Sequence, residues 1–471
     1  MKRSALITRQ LSDPIAYIGR PLKPLADNPD SLSPQNAKLG IITAGEFIGH
    51  VTTLAAQLPN KQYCVNLCDN RYLFMVSVCA VIVAKQTNLL PASKSLATQE
   101  RLAQDYPQSY LLHDGIAELA LGIEGFNLNG VSLSQNFDVV AQAEPCAIPL
   151  ISLDHLAVIS FTSGSTGDSQ ANHKSWNTLS TSTAINSAYM LPNTDQTIYH
   201  LATVPSQHMW GFETTVLMSM FANICISDGR PLYPIDIYQE LGKLPEPRAL
   251  VSTPLHLRAL AGSGAEGPSI EYILSATAPL DSELAKSIEL KLSTKIKEVY
   301  GCSEVGSMSI REPAITEKWE RFAGLNFTLN SENQVVVSAT HLPGDVVLQD
   351  NIKLLETPYF ELQGRSSDLI NIAGKRGSLH QVNNVMASFV GLIDGVVFFP
   401  QQSKAVPRLV ALAVLTQGSS LDQLRRHFKQ QLDAAFVPRP IYLVKALPRE
   451  DSGKLTNIKL LSFYQSLSKT S

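Results

Sequence analysis

Apolar and polar positions follow two rhythms along the chain. "EFIGHVTTLAAQL" (Glu46–Leu58) repeats its apolar residues at three and four, as a helix with one buried face requires. "YCVNLC" (Tyr63–Cys68) reads as a strand, and the apolar run Tyr72–Ala84 as a buried helix. "NLLPAS" and "LAVISF" (Leu156–Phe161) add strands, and a helix is expected from about Lys174. "ICISDG", "ALVSTP" and "YILSATAPL" continue as strands, the last running into a turn before the helical "DSELAKSIELKL". Such alternation predicts a layered α/β domain with parallel pairing.

After about Ser331 the texture changes to short β segments: "NQVVVSAT", "GDVVLQDN" and "YFELQGR". "GVVFFP" and "LVALAVLT" then read as a strand pair around a polar link. "SLDQLRRHFKQQLDAAF" is an amphipathic helix whose Ser420 and Gln423 have capping-box spacing. "IYLVKALP" is a final strand. The pattern breaks at "QGRSSD", which places a domain boundary near Gly364–Asp368. The expected architecture is a large N-terminal α/β domain, residues 1–364, with parallel-rich sheets and a β-subdomain. A small mobile α+β domain, residues 365–471, follows it.

Composition narrows the class. A chain of 471 residues is long enough for two or more cores, and 44% hydrophobic against 17% charged describes a globular protein. Lys+Arg of 38 against Asp+Glu of 41 leaves a net charge of −3, so nucleic acid is not an expected partner. Cys64, Cys68, Cys79, Cys146, Cys225 and Cys302 are too sparse for a disulfide framework and lack zinc-site spacing, so buried free thiols are expected. "MKRSALITRQ" does not read as a secretion signal, and Tyr72–Ala84 is too short to span a bilayer. A cytoplasmic protein without a membrane span is expected.

The chemistry begins at "FTSGSTGDSQANHK" (Phe161–Lys174). Glycines allow tight turns, and backbone N–H groups with Ser/Thr hydroxyls can hold phosphate oxygens or Mg²⁺. By itself the stretch reads more readily as a Ser/Gly surface loop than as a phosphate site. A Walker A loop needs Lys after its last glycine, and Asp168 follows Gly167, which disfavours a P-loop phosphotransferase.

"TSGSTG" resembles the phosphate loop of the adenylate-forming superfamily, which includes acyl-CoA synthetases and peptide-synthetase adenylation domains. Five further motifs follow in that family's order: "SATAPL" (Ser275–Leu280), "YGCSEVG" (Tyr300–Gly306), "PGD" (Pro343–Asp345), "GRSSDLINIAGKR" (Gly364–Arg376) and "LPREDSGKL" (Leu447–Leu455). The resemblance spans residues from about 155 to 455. It implies that ATP is bound by Thr162, Ser163, Gly164, Ser165, Thr166 and Gly167, with Ser275, Ala276, Thr277, Tyr300, Gly301 and Ser303 around the base. It also implies that Asp345 and Arg365 reach the ribose or phosphate, and that Glu304 and Thr166 meet Mg²⁺. Lys454 is implied as the lysine between the attacking carboxylate and the α-phosphate, so Lys454, Glu304 and Thr166 form the expected catalytic set.

Two departures stand out. Ser169-Gln170 occupy the place of the family's Pro-Lys, leaving Lys174 or His173 to supply a cation, and Ser367 stands where Asp or Lys is common. "PSQHMWGFETT" (Pro205–Thr215) lies where the family places its acid pocket, implicating His208, Trp210 and Gly211, with Gly306 opposite. A narrower likeness, through "NLCDNRYLF", "SATAPL" and Gln170, is to aryl polyene-type ligases that load an aryl acid onto an acyl carrier protein. The implied reaction is activation of a carboxylic acid, such as 4-hydroxybenzoate, and transfer to a carrier protein's phosphopantetheine thiol. An acyl- or aryl-CoA ligase using coenzyme A is the same-class alternative, and a catalytically silent nucleotide-binding protein the alternative from another class.

Overall fold

A computed structural model describes residues 2–19, 40–91, 93–115, 117–128, 147–162, 170–365, 369–372, 375–400, 408–450, 453 and 455–468. Local chemistry sets the helix starts. Thr43 and Glu46 form a reciprocal capping box at the helix Ala44–Ala55, and Ser420 and Gln423 do the same at Leu421–Gln431, as their spacing predicts. Each such cap contributes about 1 kcal/mol. Asn70 caps the helix Arg71–Val83 by accepting the Leu73 N–H. That helix is buried from Arg71 to Ile82, because it lies in the core rather than along the surface.

Two sheets carry the large N-terminal part. Six strands run in the order Gln170–Ser175, Leu156–Thr162, Thr87–Leu90, Tyr63–Asn66, Ser109–His113 and Gly125–Asn127. All neighbours are parallel except the first pair. Among the described residues the second sheet has eleven strands. Its central block is parallel: Tyr272–Ser275 lies between Lys295–Cys302 and Arg248–Ser252, followed by Ile198–Ala202, Ile224–Ser227 and Pro14–Ile18. From Lys295–Cys302 the pairing turns antiparallel through Gly306–Arg311, Trp319–Arg321, Tyr359–Arg365 and Asp350–Leu354. The protein is a mixed α/β fold with a large, sheet-rich N-terminal part.

Two local expectations shift. Lys174 is not in a helix. Gln170–Ser175 pairs antiparallel with Leu156–Thr162, which consumes the backbone bonds a helix would need. The helix begins at Trp176, where Ser175 caps it by accepting the Thr178 N–H at 3.1 Å. Ile198–Ala202, unread in the sequence, is a fully buried strand inside the large sheet.

Beyond the large sheet, Leu392–Phe398 and Val410–Leu415 form the expected strand pair, with Ile441–Leu443 parallel beside them. Their apolar cluster runs from Ile370 to Ile441, whereas the main core reaches only to Phe360 and Leu362. Cys64, Cys68, Cys79 and Cys225 are buried free thiols and Cys302 is half-buried; Cys146 lies outside the described residues. Among the described residues, no helix is long and apolar enough to cross a membrane.

Candidate active site

Parallel strands bring their C-terminal ends to one edge of a sheet, where side chains from distant segments meet. Here Ser252 is in register with Ser275, and Ser275 with Glu298, so the segments after Ser252, Ser275 and Glu298 emerge together. Ser275 is fully buried with no partner for its hydroxyl, and Ala276 is buried beside it. Thr277 is exposed and holds a φ of 81°, a conformation that costs a residue with a side chain about 1–3 kcal/mol.

A turn at 303–305 joins the antiparallel strands Lys295–Cys302 and Gly306–Arg311, and the pair carries a bulge between Tyr300 and Gly301. A Cβ on Gly301 would lie 2.3 Å from the Gly306 carbonyl oxygen, so this crossing needs glycine. The Tyr300 ring sits edge-on to Trp319 and Phe360 and donates its hydroxyl to Asp350 at 2.6 Å. Asp350 is the strand partner of Arg365. The fold therefore groups Tyr300 with Asp350 and the Arg365 backbone, while Asp345 is an exposed loop residue. Sequence reading missed Asp350, although it stands in a Gln-Asp step at the start of a β segment. Ser303 and Glu304 are half-buried in the same turn.

Beneath the turn lie two buried charges. Lys174 points inward from its strand and donates to the Glu304 carbonyl at 2.5 Å, while Gln170 and His173 are exposed. Burial lowers the Lys174 ammonium below its usual range, against the pull of Glu213, Cys302 and Glu304. Glu213 accepts the Ser307 hydroxyl at 2.6 Å and the Ser307 N–H at 3.3 Å. Burial raises its carboxyl, against the pull of Ser307 and Lys174. Glu213 was also missed, and its signal was a lone acid inside the apolar run "WGFETTVLMSMF".

The acid-pocket segment is tightly built. Trp210 is buried and donates its indole N–H to the Ser252 carbonyl at 3.2 Å. A Cβ on Gly211 would lie 2.0 Å from the Pro205 carbonyl oxygen, so this glycine admits close backbone packing. His208 is half-buried immediately before the helical turn that carries Trp210. Phe212–Leu217 is a π-helix, a rare form enriched at functional sites. Thr214 and Thr215 return their hydroxyls to the carbonyls of Trp210 and Gly211. Arg71, fully buried, donates to Ser206 and Thr215 hydroxyls and to the Ala202 and Val204 carbonyls. Sequence reading started the apolar helix one residue later and passed over it.

Several expected residues lie outside the described ones: Ser163, Gly164, Ser165, Thr166, Gly167 and Lys454, with the side chains of Thr162 and Arg365. The flank of the last loop is described. Arg449 grips Asp394 with two bonds of 2.8 and 2.6 Å and donates to the Gly453 carbonyl. A Cβ on Gly453 would lie 3.7 Å from the Thr253 hydroxyl, which sets Gly453 next to the end of the strand Arg248–Ser252.

These donors fit a magnesium nucleotide. The free Ser275 hydroxyl suits a base edge, and Asp350 beside Tyr300 suits a ribose diol. Among the described residues no cluster of three His, Cys, Asp or Glu could hold a metal. Magnesium held by one carboxylate and phosphate oxygens needs none, and half-buried Glu304 matches that donor set.

The family of AMP-binding enzymes matches residues 48–340. One linear gramicidin synthase polypeptide of Brevibacillus parabrevis is 28% identical over 147 residues, 31% of this chain and 2% of that protein. 4-Coumarate–CoA ligase of Rhodobacter capsulatus is 24% identical over 252 residues, 53% of this chain. The match covers 62% of that enzyme's length, so both relatives are spanned only in part. ATP-bound MatB from Rhodopseudomonas palustris shares the fold with a TM-score of 0.76 at 17% identity, over 97% of each chain. The family match covers well over half of this chain, which therefore belongs to the AMP-binding enzyme family.

Proposed function

We infer that the protein activates a carboxylic acid with ATP and passes the acyl group to a thiol. In the first step a carboxylate oxygen attacks the α-phosphorus of ATP; the bond to the bridging oxygen breaks and pyrophosphate leaves. In the second a thiolate attacks the acyl carbon and AMP leaves. Tyr300 stacks the base, with Ser275, Ala276, Thr277, Gly301 and Ser303 at its edge. Asp350, rather than the exposed Asp345, takes the ribose hydroxyls, with Arg365 beside it. The 163–167 loop holds the phosphates, and Glu304 with Thr166 meets magnesium, whose chemistry is to neutralise phosphoryl oxygens. Lys454 bridges the attacking carboxylate and the α-phosphate, carried by the small domain after Gly364.

The observation that carries this reading is the Tyr300–Asp350 bond beside the free Ser275 hydroxyl and half-buried Glu304, in a chain of this family. The acid is an aryl acid such as 4-hydroxybenzoate, received near His208, Trp210 and Gly306, and the acceptor is a carrier protein's phosphopantetheine. The aryl polyene-type resemblance supports both choices, and coenzyme A is the competing acceptor. Acid-dependent exchange of labelled pyrophosphate into ATP, run over aryl, alkyl and dicarboxylic acids, tests the first step. A second assay offers coenzyme A and phosphopantetheinylated carrier protein side by side. ADP release would mark a phosphotransferase, and ATP binding without exchange under any acid a silent binder; either refutes the reading.

A further inference from the structure

The phosphate loop lacks its expected lysine at Gln170, yet a lysine four residues on is turned inward. Its strand alternates: His173 faces out, Asn172 and Lys174 face in. Lys174 is only 2% exposed and donates to the carbonyl of Glu304. From the facing π-helix, Glu213 is 4% exposed and takes both the N–H and the hydroxyl of Ser307. The two charges thus hold opposite ends of one four-residue turn. Between those ends, Gly306 has a φ of 101°, and a Cβ there would meet Glu213 Oε1 at 2.4 Å. The carboxylate occupies the space that the glycine leaves open.

We propose that Lys174 and Glu213 are a positioning pair that sets the height and direction of the Glu304–Ser307 turn, and thereby how tightly the site takes magnesium nucleotide. This rests on the reading of Glu304 as the residue that meets the metal. Lys174 fixes the backbone at Glu304 from below, so the carboxylate above it leaves the turn in one direction. Glu213 fixes the far end at Ser307 and keeps Gly306 flat against the acid-pocket helix. Lys174 and Glu213 do not form an ion pair, but each lies within the other's field, which opposes the cost of burying either. A cation committed beneath the turn is also withdrawn from the phosphates, so Lys174 does not stand in for the missing loop lysine. Metal response and turn rigidity should therefore change together when the pair is removed.

The test is Lys174→Met with Glu213→Gln in one chain, which removes both charges at nearly constant volume. Hydrogen–deuterium exchange of the 303–308 amides should accelerate at least tenfold. The magnesium concentration for half-maximal pyrophosphate exchange should rise at least fivefold. A folded double variant with wild-type amide exchange and magnesium response overturns the proposal. Where the double variant does not fold, Ser307→Ala deletes the 2.6 Å bond, leaves both charges and is read by the same two measurements. If the wild-type protein exchanges pyrophosphate with no acid, the proposed function fails, and amide exchange still judges the positioning pair.

Discussion

Replacing Arg71 by methionine tests how the acid-pocket segment is held. The guanidinium makes four bonds of 2.9–3.2 Å, to the carbonyls of Ala202 and Val204 and the hydroxyls of Ser206 and Thr215. Thr215 donates its own proton to Gly211, so it must accept from Arg71. Methionine fills much of the volume and returns none of these bonds. The hydroxyls can turn to other acceptors, whereas the two carbonyls are left buried and unpaired, at about 1–3 kcal/mol each. Against this, the charge is itself expensive: burial, aided by Arg230, pulls the guanidinium down to about 9. Relief of that cost offsets part of the loss, and a net destabilisation of about 3 kcal/mol remains. An unfolding entropy of about 2 cal/mol/K per residue gives about 1 kcal/mol/K for this chain, so Tm should fall by about 3 °C. The segment from Thr203 to Ser206 leads directly into His208, so the KM for the acid should rise about tenfold while ATP binding holds. Differential scanning calorimetry and the exchange assay measure both. A Tm within about 1 °C of wild type together with an unchanged acid KM would refute the argument.

Gly211→Ala places a methyl group 2.0 Å from a backbone carbonyl that cannot rotate away, so it should cost about 1–3 kcal/mol; an unchanged Tm would show that the two segments are not packed as described. His200 accepts the Tyr272 hydroxyl at 2.6 Å and donates to the Thr214 carbonyl, and burial pushes its pKa down to about 4. The unfolded chain binds that proton first, near pH 6.5, so the stability His200 confers is full above that pH and drains away toward pH 4. The loss is on the order of 3 kcal/mol, and urea unfolding at neutral pH and near pH 4 should show a smaller pH dependence in His200→Gln than in wild type. Lys454→Ala should lose about 10²–10³ in acid-dependent pyrophosphate exchange yet still convert supplied acyl-adenylate to thioester; equal loss of both half-reactions would count against a lysine that acts in the first alone.

Order along the chain is legible in the amino-acid sequence alone. The capping residues Ser420 and Gln423 mark a helix start because both partners of that bond lie within one turn. The buried helix after Arg71 and the strand pair Leu392–Phe398 with Val410–Leu415 announce themselves through apolar runs, since burial is written into each residue. The motif series around Tyr300 and Ser275 likewise points to a nucleotide without knowledge of any contact. Tertiary structure decides who meets whom. Tyr300 finds Asp350 fifty residues on, Lys174 reaches Glu304 across 130 residues, and Glu213 reaches Ser307 across 94. None of these pairings has a local spacing, because each depends on which strands lie side by side and how far their ends project. Lys174 shows the difference most clearly. Read alone it is the start of a helix and a spare cation for phosphate, but an antiparallel partner strand holds it extended and turns its ammonium into the core, where it meets the Glu304 carbonyl and feels the carboxylates of Glu213 and Glu304 from farther off.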